Sequence, residues 1–203
     1  MALSAITQVM SEAYATAVAA FTLTGVPYLL WRTDEVGTRR LWWRRHDGDP
    51  TSEVGLKYRA AVQMVAAAGR ADGTSVLLVY TTSPASDGVL WALVADIATG
   101  EVTAGPIWVG RGTRPALAEI TSMRSVLAYL DGQTGALHLR ETYDGGLTWS
   151  TARPVLNNKV VGDSDLSLVV FDGTHLSIGQ VGRAGRAIQE VGSADRSRPV
   201  TAV

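Results

Sequence analysis

The chain has 203 residues, 46% of them hydrophobic and 18% charged, with a formal net charge of −1; this is the composition of a globular protein of one large or two small domains with a substantial core. A charge this close to zero sets up no global field toward nucleic acid or an anionic membrane, so neither nucleic-acid binding nor membrane insertion is expected. The lack of cysteine excludes disulfides, thiolate catalysis and cysteine-ligated zinc.

In chain order, residues 1–12 read as an N-terminal arm or short helix. Leu3, Ile6, Met10, Tyr14 and Val18 fit a helical stripe, while the part from Tyr14 to Phe21 reads equally well as a strand of small residues. No Lys or Arg precedes the apolar part and Glu12 interrupts it, which makes a poor signal peptide.

From residue 13 the chain is faintly repetitive. Four short apolar runs, 28-YLLW-31, 77-LLVY-80, 127-LAYL-130 and 168-LVVF-171, are each followed by a turn with Asp and Gly and then by a second strand-like run. Those second runs open at Leu41, Leu90, Leu137 and Leu176, spaced 49, 47 and 39 residues apart. Segments rich in small residues precede the first three apolar runs, as in 13-AYATAVAA-20 and 59-RAAVQMVAA-67. Further strands follow at 101-EVTAGPIWVG-110 and 148-TWSTARPVL-156. The Asp-Gly pairs at 72, 87, 131 and 172 supply residues that tolerate positive φ. Four short strands in roughly 40–50 residues make a propeller blade. The expected fold is therefore all-β, a small β-propeller of about four four-stranded blades (residues 13–58, 59–110, 111–160 and 161–192) with a C-terminal tail at 193–203. A β-sandwich or barrel is the alternative.

Several stretches invite a functional reading. The run 39-RRLWWRR-45 places Arg40, Trp42 and Arg44 on one face of a strand and Leu41, Trp43 and Arg45 on the other. The first three form a candidate binding patch for a protein or a glycan, the alternative being an exposed rim strand with snorkelling arginines. Metal ligation at 46-HDGD-49 or 163-DSD-165 lacks the remaining ligands of a calcium loop, and His46, His138 and His175 stand apart from one another. No metal or other cofactor is expected. The glycine-rich 110-GRGTRP-115 and 182-GRAGRA-187 read as loops between strands, since the lysine and helix of a phosphate loop are missing.

The most distinctive stretch is 142-TYDGGLTW-149. Its Thr142, Asp144, Gly146, Thr148 and Trp149 satisfy every defined position of a Ser/Thr-x-Asp-x-Gly-x-Thr-Trp/Phe pattern. Asp144 can accept hydrogen bonds across the turn, the glycines permit positive φ, and Trp149 can bury its ring. This stretch resembles the Asp-box, or BNR repeat, of sialidase-like β-propellers. The resemblance implies a place between the third and fourth strands of a blade, on the outer rim, and a structural role. Weaker copies leave Asp47, Gly48 and Thr51 in the first unit and Asp96 alone in the second. The resemblance also implies, for an active sialidase, a tyrosine nucleophile, an acidic partner and three arginines; no local motif marks such a set among residues such as Arg111, Arg114, Arg124, Arg140, Tyr58 or Tyr143. The expected function is thus a non-catalytic structural or binding propeller with no catalytic residues, part of a larger assembly. The expected setting is a bacteriophage virion, as a tail or capsid accessory protein. Its partners would be other structural proteins or further copies, and a surface glycan. The alternatives are a sialidase-like glycoside hydrolase and a lectin-like carbohydrate-binding module, in the cytoplasm or outside the cell.

Overall fold

A computed structural model describes residues 15–35, 38–46, 53–59, 62–82, 88–121, 123–155, 165–171, 175–181 and 189–195. The expected N-terminal arm at 1–12, the box remnant at 47–51 and the glycine-rich 182–187 lie outside these. Every regular element among the described residues is a strand. The first sheet runs in order through β1 (Ala15–Leu23), β2 (Val26–Glu35), β3 (Thr38–Arg45) and β4 (Val54–Gly55). From residue 15 onward the small-residue strand prevails over the helical stripe. β1 and β2 meet through Thr24 and Gly25, both at positive φ (49° and 81°), the signature of a two-residue hairpin turn whose twist matches that of its strands.

The second sheet joins two ladders. β5 (Met64–Gly69), β6 (Ser75–Thr81) and β7 (Val89–Asp96) pair in sequence, and β7 then pairs with residues 102–111 of β8 (Val102–Glu119). The remainder of β8 pairs instead with β9 (Ser125–Asp131), followed by β10 (Leu137–Thr142) and the two-residue β11 (Arg153–Pro154). One strand therefore ends one blade and begins the next. The stretch 110–115, expected as a loop, is part of this strand, which accommodates the change of partner through a bulge between Thr113 and Ala116, with Arg114 at φ 55°. A third sheet holds β12 (Asp165–Phe171), β13 (His175–Val181) and β14 (Gln189–Asp195), which ends beyond the expected start of the tail at 193. β1 lies beside β5, β5 beside β8 and β8 beside β12. This succession of first strands, with antiparallel ladders fanning outward, is a β-propeller arrangement.

The two-residue period of a strand explains how the blades stack. On β6 and β7, Val76, Leu78, Tyr80, Leu93 and Ala95 face the first blade and bury against Phe21, Leu30, Leu41 and Trp43. Their neighbours Leu77, Val79, Leu90, Ala92 and Val94 face the third blade and bury against Leu127 and Tyr129. Both faces of the middle blade are thus apolar, and its strands read as nearly continuous hydrophobic runs. The third blade repeats the device, with Val126, Ala128, Leu137 and Leu139 in a further cluster on its opposite face.

First strands crowd one another, so they are built from small residues. Gly69 of β5 is the tightest case: a Cβ there would lie 2.2 Å from the Thr22 carbonyl oxygen and 2.9 Å from Leu23 Cα, both backbone atoms of β1. Gly69→Ala must push two strands apart, and we expect it to cost about 1–3 kcal/mol, as overpacking does. Urea unfolding of the variant would reveal this as a lower midpoint at unchanged slope.

Of the expected Asp-Gly pairs, 72–73 carries positive φ on its glycine (72°), whereas two other turns are built by the aspartate side chain with the positive φ further on. In the turn at 131–135, positive φ falls on Gly135 (68°) and not on Gly132 as the Asp-Gly pattern suggests. Asp131 accepts from Gln133 N, Thr134 N and Thr134 Oγ1 at 3.1, 2.8 and 2.8 Å, and Gly135 N closes onto its carbonyl. Asp96 forms the same acceptor set with Ala98 N, Thr99 N and Thr99 Oγ1, followed by Gly100 at φ 75°.

Candidate functional site

The alternation of 39-RRLWWRR-45 is resolved by what lies beneath β3. Leu41 and Trp43 point into the core between the first two blades and are almost fully buried. Trp43 also donates its indole N–H to the carbonyl of Ile97, in the β7–β8 turn of the next blade, at 2.8 Å. Arg40, Trp42 and Arg44 occupy the opposite face and are half-buried. β3 is not the rim strand expected: β4 pairs beyond it at Trp42 and Trp43.

Trp42 is held on two sides by local structure. Its indole N–H points to Thr33 Oγ1 at 3.3 Å, and Gly55 lies so close that a Cβ there would come within 2.8 Å of Cζ3. The ring lines a groove of about 440 Å³ between the outer part of the first blade and the β7–β8 turn of the second. Tyr58 forms part of the wall and is hydrogen-bonded to the buried Tyr80, whose phenol is pushed well up in pKa by burial and by that neighbour. Ala98 and Thr99 approach from the second blade, tied across the joint by Lys57 N to Gly100 O at 2.8 Å. Four charged side chains complete the lining: Arg40, Glu53, Lys57 and Arg59. Of the expected patch, Arg40 and Trp42 therefore come together in one groove. Arg44 lies beside it, with Nη1 at 3.7 Å from Glu53. Tyr58, Arg59 and the second-blade residues carry no sequence signal for this site, because blade packing alone brings them to it.

The turn at 142–149 connects β10 to β11, the third and fourth strands of their blade. Asp144 is the hub. Its Oδ1 accepts from Thr142 Oγ1 (2.8 Å), Leu147 N (3.0 Å) and Thr148 N (2.9 Å), and its Oδ2 from Thr148 Oγ1 (2.5 Å). Burial raises its pKa, but the donors from Thr148, Thr142 and Leu147 outweigh that and hold the carboxyl at about 2. Gly145 and Gly146 sit at φ 74° and 99°. Gly146 N donates to Thr142 Oγ1, and a Cβ on Gly146 would lie 2.6 Å from Leu77 in the preceding blade. Trp149 packs onto the cluster between the second and third blades. These contacts fasten the turn to its own strand and to the neighbouring blade.

Beside this turn lies a cluster that local motifs do not announce. Glu141 accepts from Tyr143 Oη (2.5 Å), Arg124 Nη2 (2.9 Å) and Arg153 Nη2 (3.2 Å), and Arg124 stacks over the Tyr143 ring at 5.2 Å. Burial raises the Glu141 pKa, yet Tyr143 and the two arginines outweigh it and bring it below the usual range. The hydrogen bond to Glu141 in turn raises the Tyr143 phenol. The geometry is that of an ion network in which each cation is already matched. Among the described residues no group of three or more His, Asp or Glu side chains is arranged to hold a metal.

No family model matches the chain, and no curated protein does. Solved structures do match in fold. A GH43_1 enzyme from Xanthomonas citri complexed with xylotriose aligns over 99% of this chain and 78% of its own, at a TM-score of 0.64 and 12% identity. The Hadza microbial sialidase Hz136 aligns over 89% of this chain at a TM-score of 0.52 and 16% identity, and a neuraminidase-like protein from A/bat/Guatemala/164/2009 over 88% at 0.52 and 7%. The chain spans 46% and 54% of the length of these last two. At such identities the likeness is one of fold: the chain shares the β-propeller of sialidase-like and GH43 enzymes.

Proposed function

We propose that the protein is a carbohydrate-binding β-propeller and that the Trp42 groove is its binding site. The observation that carries this is the position of Trp42. An indole clamped by Gly55 and Thr33 presents a rigid apolar face, and around it stand charged and hydroxyl groups able to bond to sugar hydroxyls. Few apolar contacts with several converging polar groups suit a ligand that is itself ring-shaped and hydroxylated. The propellers that share this fold include a GH43_1 enzyme complexed with xylotriose and a sialidase, which supports the same reading. The virion role expected from the sequence draws no support from them. The glycan contact that formed part of that expectation is what the groove supports. On this reading the turn at 142–149 is an Asp-box, with a structural duty away from the ligand.

A second reading is hydrolysis of a glycosidic bond, favoured by the coverage of the GH43_1 enzyme. Such hydrolysis generally uses two carboxylates about 5–10 Å apart. The described lining of the groove holds one, Glu53, so the groove itself favours binding. Turnover of xylan, arabinan or fluorogenic sialosides would establish the second reading.

Replacing Trp42 by alanine tests the first. Calorimetric titration with xylo-, arabino-, galacturono- and sialyl-oligosaccharides is expected to find one class that binds, and Trp42→Ala is expected to weaken it at least about tenfold, the loss of a stacked aromatic face. Equal affinity in the variant, or no binding of any class, would sink the proposal.

A further inference from the structure

Building on the carbohydrate reading, we infer that the groove selects acidic glycans, polymers of uronic acid, over neutral ones. The described lining carries three cations, Arg40, Lys57 and Arg59, and one anion, Glu53, a local charge of +2 on a chain whose net charge is −1. Not all of this positive charge is matched internally. Lys57 pairs with Glu101 at 2.7 Å, and Glu53 turns toward Arg44. Among the described residues, Arg40 and Arg59 make no ion pair. Arg40 lies two residues from Trp42 on the same face of β3, so a sugar ring stacked on the indole would bring its substituents toward that guanidinium. Guanidinium groups match carboxylates with two parallel hydrogen bonds, a geometry no neutral hydroxyl reproduces. Arg40 is half-buried, which strengthens a pairing with it over a fully exposed one, whereas Arg59 is exposed and contributes less.

The test compares oligogalacturonate with the same oligosaccharide after reduction of its carboxylates to alcohols. The intact protein is expected to bind the acidic form at least about tenfold more tightly, one good charge-assisted contact. In Arg40→Gln/Arg59→Gln that ratio is expected to fall toward one. Raising the salt concentration should weaken the acidic ligand and leave the reduced one nearly unchanged, a result that needs no variant to fold. Equal affinity for both forms, or a salt-independent preference, would overturn acid selectivity while leaving carbohydrate binding intact. Binding of neither form nor any other glycan would overturn both. Tighter binding of single-stranded nucleic acid than of any glycan would also overturn the inference, since cations flanking an aromatic ring serve that ligand as well.

Discussion

Trp43→Ala is expected to remove about 3–5 kcal/mol of stability, a large part of the 5–15 kcal/mol typical of a folded domain. Trp43 is 0% exposed and among the largest side chains so buried. It fills the space between the first two blades, against residues drawn from both. Truncation leaves a cavity that two stiff sheets cannot collapse around, and it strands the Ile97 carbonyl without its 2.8 Å donor. Trp43→Phe separates the two effects, since it keeps most of the volume and loses the donor; about 1–2 kcal/mol is expected for it. The consequence reaches the groove, whose wall is made partly by the β7–β8 turn that Trp43 holds. Chemical unfolding followed by far-UV circular dichroism would measure both variants. A Trp43→Ala protein as stable as the parent would mean that the first blade does not pack on the second as described.

The second large effect is expected at Asp144. Removing its carboxylate in Asp144→Ala leaves two backbone amides and two threonine hydroxyls of one turn without their acceptor. We expect a loss of about 2–3 kcal/mol, moderated because part of the turn is open to water that can replace the lost bonds. The same carboxylate predicts a pH dependence with a definite sign. Its folded pKa, about 2, lies below the ordinary 3.8. The folded state therefore binds the proton more weakly than the unfolded chain does. Its contribution is complete above pH 3.8 and is lost as pH falls from there toward 2. Asp72 and Asp131, which cap other turns, are also lowered and act in the same direction. Burial opposes the shift at both, and Ser75 and Thr74 at Asp72, with Thr134 and Gln133 at Asp131, supply the donors that outweigh it. Unfolding midpoints measured from pH 5 down to pH 2 should fall, and Asp144→Asn should fall less steeply than the parent. An identical pH profile for that variant would contradict the role given to the carboxylate.

Local chemistry was legible in the sequence, and assembly was not. The period-two alternation of 39-RRLWWRR-45 announces which face of β3 is buried, because neighbouring side chains on a strand must point opposite ways. The turn at 142–149 could be read in detail, since all its hydrogen-bond partners lie within a few residues of Asp144. Asp96, left alone of the box pattern in its repeat, still caps the corresponding β7–β8 turn. By contrast, the stretch 110–115 looked like a loop because glycine is common in turns. In the structure Gly112 serves close approach, packing against Tyr129 and the Leu130 carbonyl within a single long strand. The groove was half visible. Arg40 and Trp42 share a strand face, whereas Tyr58, Arg59 and Thr99 reach them only through the stacking of two blades. Glu141, Arg124 and Arg153 likewise meet through the pairing of neighbouring strands, 17 and 12 residues apart in sequence, and no spacing rule marks them.

The central claim is that a sugar stacks on Trp42. The six tryptophans give separate indole N–H signals in a nitrogen-15 correlation spectrum, and single Trp→Phe variants would assign them. Titration with the glycan that binds is expected to move the Trp42 signal, whose indole borders the groove, and to leave the signal of the buried Trp43 in place. A ligand that shifts the exposed Trp108 and leaves Trp42 unmoved would contradict the claim.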